Sequence, residues 1–324
     1  MLKTKCKLLK HRLKNIRSIA RFNLSKHKVK EMAFDIDDIS KPAITIIIPN
    51  YNTTKYLKEC LKSIKQTLAD EKTIDTEAIK VIVIENGSVD GGKEFLMDYA
   101  ENNSFVMPLI LDKNIGVYNA WNLGIIASDP NDVIIMGSDV VCLDGWLHPL
   151  LDTINSDLSI GIVSSKLIQK IDGKDFVVFG GVGEHTPHLI GWNHEHPEFN
   201  EIKQQPWVTH SCVLIRRETI NAVIKKRGFA YDARYRIYCG DHDFCREAKL
   251  CGWKSYYCGP STVIHHEGKG VTQLKHNKIQ TIKKIFNQMF RQSIKAMAKE
   301  DANLFDKEWS DRIYLLQGDH CDYK

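Results

Sequence analysis

Val133-Ile134-Ile135-Met136-Gly137-Ser138-Asp139-Val140-Val141-Cys142-Leu143-Asp144 is a short apolar strand that runs out onto a single carboxylate. A strand of this kind delivers Asp139 to the carboxyl edge of an open α/β sheet, the edge at which ligands bind. An aspartate oxygen there suits a divalent cation and the phosphate oxygens it accompanies. Many surface turns carry an aspartate, so the weight of the reading comes from three further segments in order. These are Ile44-Thr45-Ile46-Ile47-Ile48-Pro49-Asn50-Tyr51-Asn52, then Val81-Ile82-Val83-Ile84-Glu85-Asn86-Gly87-Ser88, and finally Gly240-Asp241-His242-Asp243-Phe244.

Working outward, strands alternate with helical patterns, which predicts an α/β fold with a mostly parallel central sheet flanked by helices. Residues 43–48 form a continuous β-branched run, as in a strand buried on both faces, and Pro49 stops it. Asn50-Tyr51-Asn52-Thr53-Thr54 supplies turn and N-cap residues, after which Leu57, Cys60, Leu61, Ile64 and Leu68 recur at helical spacing. Further strands are expected at 79–84, 109–111 and 133–136, with helices over about 93–101 and from Asn114-Ile115-Gly116 through Ala127. The second half reads as mixed. Strands are expected at 160–163, 176–179, 208–215, 254–257 and 262–264, and helices over 217–226 and 241–250. Residues 180–200 read as a Gly/His/Pro-rich loop, and a polar amphipathic helix is expected from Thr272 to about Lys299. The organisation expected is a basic arm and linker over 1–41, one α/β domain over 42–270 and a helical extension over 271–324.

Composition narrows the class. The chain of 324 residues is 43% hydrophobic and 26% charged, ordinary for a globular protein. It lacks a run of about 18 apolar residues and an apolar signal region, so a cytoplasmic protein is expected. The net charge of +5 is divided: residues 1–30 hold eleven Lys/Arg and no Asp/Glu, and the remainder is mildly acidic. Leu2, Cys6, Leu9, Leu13, Ile16 and Ala20 recur at steps of four and three between those charges. A basic amphipathic helix of this type lies on an anionic membrane, here at its inner face, or packs on a partner. Few aromatics interleave with the charges, which argues against a nucleic-acid partner. Nine cysteines without a CxxC pair are expected to be reduced. The spacing of Cys239, His242 and Cys245 is not that of a zinc ribbon or finger.

The four segments, in this order and spacing over about residues 43–270, resemble the inverting glycosyltransferases of family 2. That resemblance implies a GT-A fold, a nucleoside-diphosphate-sugar donor, a divalent cation (Mn²⁺ or Mg²⁺) and a saccharide or lipid-linked acceptor. Pro49, Tyr51 and Asn52 match the stretch that frames nucleobase and ribose. Glu85 and Asn86 stand where the family usually has Asp-Asn-Gly-Ser, at a strand end suited to nucleobase or ribose hydrogen bonds. Asn114-Ile115-Gly116-Val117-Tyr118-Asn119-Ala120-Trp121-Asn122 matches the Asn-x-Gly loop and its helix. There Asn114, Gly116, Asn119 and Asn122 let backbone approach the nucleotide or offer uncharged donors; Asn114 is equally an N-cap.

Gly137-Ser138-Asp139 stands for the Asp-x-Asp motif, keeping only its second, metal-binding carboxylate, with Ser138 beside the donor. Asp241 matches the base that takes the acceptor proton, and Asp243 would position its helix or assist acceptor binding; Gly240 replaces a glutamate. Val263-Ile264-His265-His266 follows Pro260 as in the family's late Pro…His segment, and a histidine there supplies a further metal ligand. Counting from Pro260 favours His266 and counting back from Gly268 favours His265, while strand alternation lets one of them face the site. His210 lies on the strand that lines the donor pocket, and Trp192, like Trp207, would stack on a sugar. His185, His188, His194 and His196 crowd a Pro/Gly-rich loop that reads as an acceptor loop. The alternative, raised by Gly137 and Gly240, is a non-catalytic sugar-nucleotide or glycan-binding protein on the same fold. A nucleotidyltransferase would carry a Gly-rich basic triphosphate loop after the first strand, and Pro49-Asn50-Tyr51-Asn52 is not one.

Overall fold

The computed structural model describes residues 44–69, 78–171, 174–181, 197–266, 280–310 and 312. The basic arm, the linker over 31–41, the four loop histidines with Trp192, and the start of the expected C-terminal helix lie outside the described residues.

Ten strands form one sheet: β1 (Ile44–Asn50), β2 (Ile79–Asn86), β3 (Val106–Leu111), β4 (Asp132–Met136), β5 (Val140–Cys142), β6 (Ile160–Ile171), β7 (Lys174–Phe179), β8 (Ile202–Gln205), β9 (Cys212–Ile215) and β10 (Lys254–His265). Their order is β3-β2-β1-β4-β9-β6-β10-β5, with β7 beside β6 and β8 beside β10. The first four neighbours run parallel, as the strand–helix alternation requires. β9 enters antiparallel between β4 and β6, and β10 returns to the parallel sense beside β6. The sheet is therefore parallel in its first half and mixed beyond it.

Helices α1 (Thr54–Ala69), α2 (Gly92–Glu101) and α4 (His148–Ser156) pack on one face, and α3 (Val117–Ala127), α5 (Arg217–Arg227) and α6 (Gly240–Leu250) on the other. The β-branched run of β1 explains this layering, because Ile44, Ile46 and Ile48 enter the first core and Ile47 the second. Each buried isoleucine contributes about 1.5–3 kcal/mol, so a charge at Ile47 would break the sheet at its centre. The last helix, α7 (Gln280–Trp309), lays Leu304 and Phe305 against the second core and buries Trp309.

Several elements exceed their sequence limits. β3 starts at Val106, three residues before the expected Leu109, because Pro108 sits on the sheet edge where a missing N–H is tolerated. The two short strands expected at 254–257 and 262–264 are one strand, with an irregularity around Gly259-Pro260-Ser261. β8 and α4 carry no sequence signal strong enough to be expected.

Candidate active site

The carboxyl ends of β1, β2 and β4 share one edge of the sheet, and their loops are tied together by hydrogen bonds from uncharged donors. Asn50 Nδ2 donates to Glu85 Oε2 at 2.6 Å, and Ser88 N donates to Glu85 Oε1 at 2.9 Å. Thr53 Oγ1 donates to Asn50 Oδ1 at 2.7 Å and shares a hydrogen bond of 2.8 Å with Ser138 Oγ. Asn52 holds a left-handed backbone (φ 55) and accepts Val89 N at 2.8 Å. The first helix is capped from the neighbouring loop, since Asp90 accepts both the N–H and the hydroxyl of Thr54. Asn86 Oδ1 accepts Ile115 N at 2.9 Å, while Asn114 Oδ1 accepts Asn86 Nδ2 and Gly116 N. The amide residues read from the sequence thus build the cradle from within, and Tyr51 projects from its rim, 42% exposed.

Asp139 follows β4 at the same edge. β10 pairs antiparallel with β5, setting His265 opposite Val140 and placing its Nε2 3.4 Å from Asp139 Oδ1. His266 N donates to Asp139 O at 3.0 Å, but its ring turns away to Tyr56 and Glu59. Of the two histidines, His265 is the one beside Asp139. Burial works against the charge on Asp139, yet the hydrogen bond and charge of His265 outweigh it and hold the carboxyl below its ordinary value. The two atoms stand close to the separation of about 3 Å expected for adjacent ligands of one ion with bonds of about 2.1 Å. Among the described residues no group of three or more His, Cys, Asp or Glu side chains could hold a metal. Asp139 and His265 bring two side chains of ligand type together at this edge.

A Cβ at Gly137 would lie 2.9 Å from Asp139 Oδ1, the end of a side chain that can turn aside. At Gly240 the conflict is stiffer, because a Cβ there would collide with the ring of Tyr118, whose hydroxyl accepts Gly240 N.

Asp241 opens α6, near the bend at residues 210–211 that precedes β9. Gly137 N donates to Ser211 O at 2.9 Å, and the Asp241 carboxylate accepts His242 N at 2.9 Å, with the backbone N–H of His210 also favouring its charged form. Burial raises the Asp241 carboxyl to about 6, against the opposing pull of those backbone N–H groups. Asp243, two residues on, faces inward. It accepts Arg227 Nη1 at 2.5 Å and Trp309 Nε1 at 3.0 Å, so each carboxylate oxygen ties the helix to a neighbouring element.

Four residues expected to contact the sugar or nucleotide have other partners. His210 is 1% exposed, with Nδ1 2.5 Å from Tyr231 Oη and Nε2 against Cys245 Sγ, so its ring is committed to the core and does not face a sugar. Asn122 spends its amide on the backbone of Tyr231, and Asn119 donates to Ile115 O. Glu85 is 1% exposed and serves the loop web. Thr53, Ser88, Asp90 and Tyr118, which organise the cradle, were legible only as ordinary turn and packing residues. His242 packs on Trp207, at 3.4 Å between ring centroids, and burial holds it neutral by lowering its pKa to about 3.

A model of glycosyl transferase family 2 matches residues 45–223, more than half of the chain. The chain belongs to glycosyl transferase family 2. It is 25% identical over 249 residues to the N-acetylglucosaminyl-diphospho-decaprenol L-rhamnosyltransferase of Mycobacterium tuberculosis, covering 69% of this chain and 76% of that protein. It is 29% identical over 114 residues to glycosyltransferase AglE of Haloferax volcanii, covering 35% of this chain and 36% of that one. The GT-A fold of this family 2 glycosyltransferase is shared with a crystal structure of GalNAc-T7 with UDP, GalNAc and Mn²⁺ (TM-score 0.55, 17% identity, 74% of this chain). The chain spans 46% of that protein's length. It is also shared with the mannosyltransferase PcManGT from Pyrobaculum calidifontis, in complex with GDP-Man and Mn²⁺ (TM-score 0.51, 15% identity, 79% of this chain and 67% of that one).

Proposed function

We propose that the chain is an inverting glycosyltransferase that moves a sugar from a nucleoside diphosphate to an acceptor hydroxyl. The observation that carries this reading is the meeting of Asp139 and His265 at 3.4 Å on the edge of the sheet at which ligands bind. A divalent cation held by Asp139 and His265, completed by diphosphate oxygens and water, would neutralise the charge of the leaving diphosphate. Asp241 takes the proton of the acceptor hydroxyl as that oxygen attacks the anomeric carbon. The bond from this carbon to the diphosphate oxygen breaks on the opposite face, which inverts the configuration. With its pKa raised to about 6, Asp241 is ionised at neutral pH yet more basic than an ordinary aspartate. Tyr51, Asn52, Asn114 and Gly116 border the donor, and the hydrogen bonds among Asn50, Thr53, Glu85 and Ser138 keep their loops in register.

The test is turnover of UDP-, GDP- and dTDP-sugars with Mn²⁺, for the wild type and for Asp139→Ala and Asp241→Asn. Loss of turnover in both variants, with wild-type kcat/KM rising through about pH 6, is the expected outcome. Equal background rates in all three proteins would instead identify a sugar-nucleotide-binding protein without turnover.

The acceptor we infer is a lipid-linked saccharide of a glycan-assembly route. Support comes from the named substrate of the mycobacterial relative and from the basic arm over 1–30. Among the described residues no helix is long and apolar enough to cross a membrane. Peripheral contact with an anionic cytoplasmic leaflet through the arm is therefore proposed. Flotation with phosphatidylglycerol liposomes that is unchanged by deletion of residues 1–30 would remove this part.

A further inference from the structure

The family match ends at Val223, yet the carboxylate read above as the base stands at 241 and is held from still farther along the chain. Immediately before α6 the backbone makes an uncommon turn: Cys239, a residue with a side chain, sits in the left-handed region at φ 65. A conformation of this kind costs on the order of 1 kcal/mol or more and persists where neighbouring contacts over-determine it. Those contacts come from two sides. From α3, Tyr118 Oη donates to Ile237 O at 2.7 Å and accepts Gly240 N at 3.1 Å. From α7, Asp301 accepts three successive backbone N–H groups, Arg236 N at 3.0 Å on Oδ1, and Ile237 N at 3.0 Å and Tyr238 N at 2.9 Å on Oδ2.

Asp301 is 2% exposed. A carboxylate so placed is stable because these N–H groups replace the water it has lost. Below it, Phe305 meets the ring of His242 edge-on at 5.6 Å, and Trp309 Nε1 donates to Asp243 Oδ1 at 3.0 Å. One face of α7 thus grips the turn and then the two residues that follow Asp241.

We propose that Asp301 is a positioning residue for the transfer reaction: by gathering the N–H groups of residues 236–238 it holds the turn that aims Asp241 at the acceptor. The proposal rests on the assignment of Asp241 as base. An asparagine at 301 keeps the volume but replaces one acceptor oxygen with a donor group, so it must face at least one backbone N–H unfavourably.

The experiment compares the full-length wild type with Asp301→Asn and with Glu300→Gln, a control at the exposed end of the Arg236–Glu300 ion pair. Amide hydrogen exchange is followed over 234–242, together with turnover of the nucleotide sugar per folded molecule with Mn²⁺. Asp301→Asn should raise exchange in that segment and lower kcat by about 10- to 100-fold at nearly unchanged donor KM, the penalty of a displaced catalytic group. Glu300→Gln should match the wild type in both. Unchanged exchange, or raised exchange with unchanged kcat, overturns the proposal. If the wild type turns over no nucleotide sugar, the assignment of Asp241 as base falls, and exchange alone decides whether Asp301 orders the turn. Should Asp301→Asn not fold, Asp301→Glu, which keeps both acceptor oxygens and the charge but displaces them by one methylene, carries the same comparison.

Discussion

The two sides of the proposed cleft are built by different physics. The donor side, at the ends of β1, β2 and β4, is held by short hydrogen bonds from uncharged donors among Asn50, Thr53, Ser88 and Ser138, with Glu85 as the buried acceptor. The side that presents Asp241 is held by charge. Arg227 lies between Asp243 and Glu247, Glu247 also meets Lys226 and Arg312, and Arg234 bridges Asp232 and Glu308. On the donor side uncharged amide donors converge on the Glu85 carboxylate and fix the shape of the loops. Buried ion pairs pin a helix firmly, but each becomes a liability once one partner is removed.

The largest effect expected is chemical and should strike both sides alike. Asp139→Ala and Asp241→Asn should each lower turnover by about 10²–10⁴-fold; a loss confined to one of them would show that the two sides do not serve one reaction. Next comes the charged side alone. Arg227→Met leaves Asp243 without its guanidinium and should cost about 3–5 kcal/mol in urea unfolding, and a cost under ~1 kcal/mol would show that the network is dispensable.

A third effect depends on pH. The Asp241 carboxyl is raised to about 6 from an ordinary 3.8, so the folded chain binds the extra proton between these values and loses stability as pH rises through them. Asp241→Asn escapes that loss. Its unfolding free energy should exceed the wild type's by about 1–3 kcal/mol above pH 6 and converge on it near pH 4; a gap that widens toward acid would reverse the sign and refute the burial argument. The smallest effect is on the donor side. Thr53→Val keeps the shape but leaves Asn50 Oδ1 and Ser138 Oγ without their shared partner. About 1–2 kcal/mol of stability should be lost, together with a higher donor KM. An unchanged donor KM would detach the amide web from donor binding.

The same division governs what was legible in the sequence. β1, β2 and β4 announced themselves because parallel strands buried on both faces must be continuous apolar runs, and their loop residues followed in register. Asp139 and Asp241 were visible from motif order. Which histidine stands beside Asp139 was not, because that depends on β10 pairing antiparallel with the three-residue strand β5, too short to leave a pattern. His210 misled because the strand expected from 208 begins only at Cys212, and because its side-chain direction was not legible: Tyr231, remote in sequence, draws the ring inward. Asp301 gave no signal at all. In a polar helix one more aspartate is ordinary, and only the folded chain reveals three backbone N–H groups converging on it.

The collision that a side chain at 240 would suffer couples that position to 118. A glutamate at 240 fits beside a side chain smaller than tyrosine, so the paired replacement should be tolerated better than the single one.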